Sequence, residues 1–195
     1  MKRLIKVGLG RVRLWRDEAA TAAYEPLRML ERSETVAGTA ADVLSTAVAI
    51  EVCFPTGPRS LYGLLGGRFE SGVCRQREIR VGISSLEGPR LLDSLAAIPE
   101  EPRVGLPEEL ADEVVTWLHG EAIARNLPAG TLAIDQAAHG LIGSSRSTFA
   151  ALAFLVVRMV AERFDEQPPE LIGEMVRDTI IRSMNGRLGE AGNVT

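Results

Sequence analysis

The sequence predicts an α/β fold: a mixed sheet of about four strands covered by helices, with a helical N-terminal section. Three observations carry this expectation. Ile79, Val81 and Ile83 alternate with Glu78, Arg80 and Gly82, the period of a strand wet on one side. Residues 108–125 place Leu110, Ala111, Val114, Val115, Leu118 and Ala122 on one helical face. Residues 147–164 are apolar nearly all round, which marks a helix at the centre of a core.

The elements follow in order. Residues 2–16 carry Leu4, Val7, Val12 and Leu14 in partial alternation, so one or two strands are expected with a turn at residues 8–10. Asp17 and Glu18 open a helix over 17–33, kinked at Pro26. A second helix over 35–50 puts Val36, Ala40, Val43, Leu44, Ala47 and Val48 on one face. Pro55, Gly57 and Pro58 with Gly63, Gly66, Gly67 and Gly72 predict a long turn-rich segment, the best boundary in the chain. Next come a strand over 75–84, a short helix over 90–98 behind Pro89, and a loop to Pro107. The helix over 108–125 has an acidic first turn. A strand over 131–138, a tight loop and the buried helix 147–164 follow. The last helix, 169–184, turns Leu171, Ile172, Met175, Val176, Thr179 and Ile180 inward, with a frayed tail after Gly186. The expected organisation is an N-terminal strand and helical section (1–60), an α/β core (61–165), and a C-terminal helix with tail (166–195).

Composition narrows the function classes. The chain has 195 residues, 46% hydrophobic, with 22 cationic and 26 anionic side chains for a net charge of −4. Mild acidity argues against a protein that coats nucleic acid over its whole surface. Charge is uneven, however. Lys2, Arg3, Lys6, Arg11 and Arg13 form a possible basic patch without a neighbouring acid. All cations except Lys2 and Lys6 are arginine, which suits phosphate and carboxylate forks. The longest uninterrupted apolar run, 149–157, is about half of the ~20 residues a spanning helix needs, so no membrane partner is expected. Lys6, Arg11 and Arg13 interrupt any signal-like apolar core, and no small-residue cleavage site follows. Cys53 and Cys74 form no CxxC, and His119 and His139 are too few for a zinc site. A cytoplasmic protein with reduced thiols, no metal and no cofactor is the expectation.

One loop could carry chemistry. His139-Gly-Leu-Ile-Gly-Ser-Ser145 joins strand to helix, and Arg146 follows. Glycines let backbone approach a ligand, a serine caps the helix, and free amides with a guanidinium attract an anion. The same residues also make an ordinary capped turn. A hydrolase would need Ser144 or Ser145 as nucleophile, His139 as base and Asp135 as orienter. The GxSxG elbow is absent, and a triad is normally assembled from distant segments, so no catalytic residue is assigned.

Over roughly residues 65–165 the pattern resembles domain IV of translation elongation factor G. The matching residues are Val104-Gly-Leu-Pro107-Glu-Glu, Leu127-Pro-Ala-Gly130, Asp135, His139, Ser144-Ser145, Phe149-Ala150 and Leu152-Ala153. The interval from Asp135 to Ser144 is shorter than in that family, and Gly143 replaces the acid before the serine pair. No GxxxxGK[ST] occurs, so no GTPase engine is present in this sequence. The loop also resembles the phosphate loop of small-molecule kinases of the galactokinase/homoserine kinase class, with Arg146 and Ser147 where those have small residues. Both resemblances imply a left-handed β-α-β crossover.

The function expected from the resemblance is a non-catalytic, translation-factor-like module contacting RNA, the ribosome or a protein partner. The residues involved would be His139, Gly140, Gly143, Ser144, Ser145 and Arg146. An alternative is a small-molecule enzyme or binder holding a phosphate group where helix 147–164 begins. A third is a structural subunit of a homo-oligomer, with the glycine-rich 61–74 segment at the interface.

Overall fold

The structure is a computed structural model that describes residues 1–18, 20–36, 45–57, 59–73, 75–96 and 101–188. Eight strands form one open mixed sheet: β1 (Lys2–Val7), β2 (Gly10–Arg16), β3 (Arg28–Thr35), β4 (Ser45–Thr56), β5 (Arg59–Ser71), β6 (Gln76–Ile83), β7 (Arg103–Val104) and β8 (Gly130–His139). Three helices complete it: α1 (Glu108–Ala124), α2 (Arg146–Glu162) and α3 (Pro169–Met184). The strand order is β1-β2-β4-β5-β8-β6-β3, with β7 beside the end of β8. Neighbours are antiparallel except β6 and β8, which run parallel and are joined through α1.

All three helices pack on one face. Helix α3 lies against β1, α2 against β4 and β5, and α1 against β6 and β3. Helix α2 also touches both other helices, which is why it is apolar all round. Val48, Ile50 and Val52 of β4 meet this core, as do Leu61, Leu65 and Phe69 of β5. The opposite face carries Trp15, Ala49, Cys53, Tyr62 and Leu64. It is covered by Ala20 and Ala22 from one crossing segment and by Leu91 and Leu95 from another.

Strands β6 and β8 and helices α1, α2 and α3 lie where the sequence places them, and the β1–β2 hairpin turns at Gly8. Two expectations are corrected: the sheet has eight strands rather than four, and the N-terminal section is strand rather than helix. Residues 28–33 lie in β3, and its charges are cross-strand partners rather than a helix surface: Glu34 pairs with Arg77, and Glu31 lies 3.6 Å from Arg80. As an outer strand, β3 buries little and shows no clear period of two. The helix expected over 35–50 falls partly outside the described residues, and 45–50 belong to β4. That strand is buried on both faces, so its apolar run mimics a buried helix. Of the helix expected over 90–98, residues 97–98 lie outside the described residues, and residues 90–96 are not helical. They form a strap that buries Leu91 and Leu95 and leaves Leu92 exposed.

The glycine-rich segment is the long central strand β5. A Cβ on Gly63 would lie 2.8 Å from the Leu152 side chain beneath α2, and one on Gly67 would collide with the Ala133 carbonyl. Glycine here permits close packing, not a turn. The β5–β8 register shifts between Gly66 and Gly67, leaving Asp135 as the extra residue of a bulge. In α3, Leu171 is exposed rather than inward.

The basic strand β2 is tied to the far end of α2. Arg16 is buried and grips Asp165 at 2.6 and 2.5 Å, while also donating to the Met159 carbonyl at 2.5 Å. Removing one partner of such a pair strands the other charge. Arg16→Leu is expected to lower stability by about 3–5 kcal/mol in urea titration. Gly67→Ala is expected to cost about 1–3 kcal/mol through overpacking.

Candidate functional site

The turn from β8 into α2 is built almost entirely of internal contacts. Ser145 takes an extended backbone conformation (φ −143°) and caps α2, accepting from the Thr148 amide at 3.2 Å. The Ser144 hydroxyl accepts from the Gly140 amide at 2.8 Å and donates to the Tyr62 carbonyl at 2.7 Å. The Tyr62 amide donates to the Gly143 carbonyl at 3.0 Å. An added Cβ on Gly143 would collide with the Ser60 carbonyl, so glycine lets the loop lie flat on β5. The loop is thus a clasp between β8, α2 and β5, and both serines are engaged in it.

His139 is buried. Its Nδ1 lies 3.1 Å from the Gly105 carbonyl, and its Nε2 faces the Leu86 carbonyl without a hydrogen bond of ordinary geometry. Burial holds the imidazole below its ordinary value, so it is neutral at pH 7. Asp135 instead pairs with Arg68 at 3.0 Å. The residues a hydrolase would group are therefore not brought together, since His139 is oriented by a backbone carbonyl and Asp135 by a guanidinium. No group of three or more potential metal ligands occurs among the described residues. No helix there is long and apolar enough to cross a membrane.

The side chains of Leu141, Ile142 and Arg146 face outward, and of these Arg146 carries the charge. It is exposed in the first turn of α2, the helix end that disfavours a cation. There it lines a cleft of about 590 Å³ outside the carboxyl ends of the parallel strands β6 and β8. This is the usual place for ligands in α/β sheets. Leu27, Ile83, Leu86 and Pro107 supply its apolar lining. Leu27 is 77% exposed and Leu86 57%. Glu108, Glu109 and Asp112, from the first turns of α1, stand on the same rim. Arg28 is there too, but it is paired with Glu108.

The basic N-terminus has a different use. Lys2 lies 3.1 Å from Asp93, and Arg13 lies 3.0 Å from the same carboxylate. Arg11 donates to the Leu95 carbonyl at 2.6 Å, and Arg3 to the Asp165 and Gln167 carbonyls. Lys6 is exposed. Beneath the strap, buried Glu51 accepts from the Leu95 amide at 2.7 Å and the Tyr62 hydroxyl at 3.0 Å. Arg13 stands 3.5 Å from its other oxygen. Burial raises the Glu51 carboxyl above the ordinary range, opposed by these partners. The N-terminal cations therefore act mainly as clamps on the 91–96 strap and the 165–167 turn.

Sequence reasoning found Arg146 but missed Leu27, Leu86, Glu109 and Asp112 as its neighbours. Leu27 stands among Tyr24, Met29 and Leu30 and Leu86 alone between polar residues, and neither pattern is unusual in surface sequence. No protein-family model matches the chain, and neither a curated protein nor a solved structure is significantly similar to it.

Two outcomes follow. Ser144→Ala leaves the Gly140 amide and the Tyr62 carbonyl without this partner and should cost about 1–3 kcal/mol in denaturant titration. His139 favours the neutral form when folded, so its contribution is present above its ordinary value of 6.5 and is lost as pH falls below it. Stability measured from about pH 7 down to about pH 5.5 should fall in the parent and fall less in His139→Gln.

Proposed function

We propose that the chain is a non-catalytic interaction module that binds a protein partner at the cleft beside the β8–α2 turn. The carrying observation is the composition of that cleft. An apolar lining with two exposed leucines is ringed by three carboxylates and two guanidiniums, one of them already paired. Such a rim repels a polyanion and suits an apolar segment flanked by basic residues. The internal use of Lys2, Arg3, Arg11 and Arg13 weighs in the same direction, against RNA or a ribosomal RNA surface.

The engagement of Ser144, Ser145 and His139 within the fold supports a non-catalytic role. It also weakens the alternative of a phosphate held on the loop amides. The resemblance to domain IV of elongation factor G remains part of this reading. It suggests a translation-associated partner and a left-handed crossover in the β6–α1–β8 unit.

The test places a photo-reactive residue at position 86 in the full chain, in cells. A cross-link to a protein is expected, lost on Leu27→Asp and weakened several-fold by Glu109→Lys. The same residue at position 92, exposed elsewhere, should give none. Two results would overturn the reading. One is salt-steep binding to naked RNA that survives Leu27→Asp. The other is thermal stabilisation by millimolar sugar phosphates that is abolished by Arg146→Ala.

A further inference from the structure

A second concavity lies far along the sheet from this cleft and does not depend on the reading above. It is a groove of about 370 Å³ between the β1–β2 turn, the β4–β5 hairpin end and the C-terminal half of α3. Its walls are Val7, Leu9, Phe54, Ile180, Ile181 and Met184. Leu9 is 90% exposed, and Ile181 and Met184 are about half exposed, so the apolar surface continues from the groove to its mouth.

Sequence and packing explain its shape among the described residues. Gly8 takes φ +59° at the hairpin turn. Gly10 has no side chain, and an added Cβ would run into the Phe54 ring. That ring therefore lies on the β2 backbone and forms a wall. Gly173 brings α3 close to β1, where an added Cβ would sit 3.1 Å from Val7. The volume falls within the range of small-molecule sites, roughly 300–1,000 Å³.

One charged group lines the groove, the exposed Arg177. It forms no ion pair among the described residues. An apolar slot with a single guanidinium has a defined complement: an unbranched apolar chain ending in a carboxylate. The chain removes apolar surface from water on both sides, and the guanidinium forks the carboxylate bidentately. A phosphate monoester would meet one cation and, besides it, only the Thr56 hydroxyl, which already donates to the Arg59 carbonyl, and an amine would meet like charge.

We infer that this groove binds an alkyl carboxylate of the fatty-acid class, with the chain against Phe54, Ile181 and Met184 and the carboxylate on Arg177. Affinity then rises about fourfold for each added methylene until the groove is filled. Removing the charge interaction leaves the chain-length dependence intact.

Isothermal titration of the full chain with octanoate, decanoate, decanol and decylamine tests this, with sedimentation velocity on the same samples. Decanoate should bind about tenfold tighter than decanol, and decylamine weakest. Arg177→Gln, at an exposed position, should bring decanoate down to the level of decanol. Ile181→Asp should abolish binding of both while leaving the melting profile in place. Equal binding of decanoate and decanol, or unchanged decanoate binding in Arg177→Gln, would overturn the assignment. So would a dimer that Ile181→Asp dissociates in a chain that takes up no decanoate, since the groove would then be an interface between copies. None of these outcomes bears on the cleft at Leu86.

Discussion

The Ser144 hydroxyl joins three elements at one point. It accepts a hydrogen bond from the Gly140 amide at the end of β8, donates one to the Tyr62 carbonyl in β5, and stands one residue before the cap of α2. Helix α2 lies at the centre of the apolar core, and β8 is the strand on which β5, β6 and β7 all pair. The clasp therefore fixes how the central helix leaves the central strand. Flexible backbone there would let α2 shift against β4 and against β5, whose glycines leave no spare volume. The loop that looked best suited to chemistry is occupied with architecture.

That shift of role explains where function can reside. A loop whose serines, glycines and histidine are engaged inward presents little to a substrate. It does present Leu141, Ile142 and Arg146, the last beside the ends of two parallel strands. Carboxylates from the first turns of α1 line the same cleft as this cation, which stands at the helix end that disfavours it. The same economy governs the N-terminal cations. Arg13 and Lys2 share Asp93, and Arg16 crosses to Asp165, so a stretch that reads as an electrostatic surface works as a set of internal ties. Arginine suits this use because its fork satisfies two or three acceptors at once.

The C-terminal half of the fold was legible because its signals are local. Helix α1 shows one apolar stripe, α2 shows none because it is surrounded, and β6 alternates cleanly. The N-terminal half was not, because its strands depart from the alternating pattern in opposite directions. Strand β4 is buried on both faces and reads as continuous apolar sequence, while β3 is exposed on both and reads as polar helix. Glycines in β5 were read as turns because sequence does not show that Ala49, Ala133 and Leu152 press against them. The loop residues and Arg146 were found from spacing alone. Their roles were not, since hydrogen bonds from Ser144 to Tyr62 and from His139 to Gly105 join positions 82 and 34 residues apart.

The hydrogen bonds of Ser144 make the β8–α2 loop a rigid clasp. Amide hydrogen exchange of the native chain, read at Gly140 and Tyr62, tests this most directly. In a rigid clasp both amides exchange only with the global opening of the core, as slowly as those of β5 and β8. Exchange at Gly140 and Tyr62 as fast as in the exposed turn at Gly8 would contradict it, because the loop would then be a mobile, available element and its serines free for a ligand.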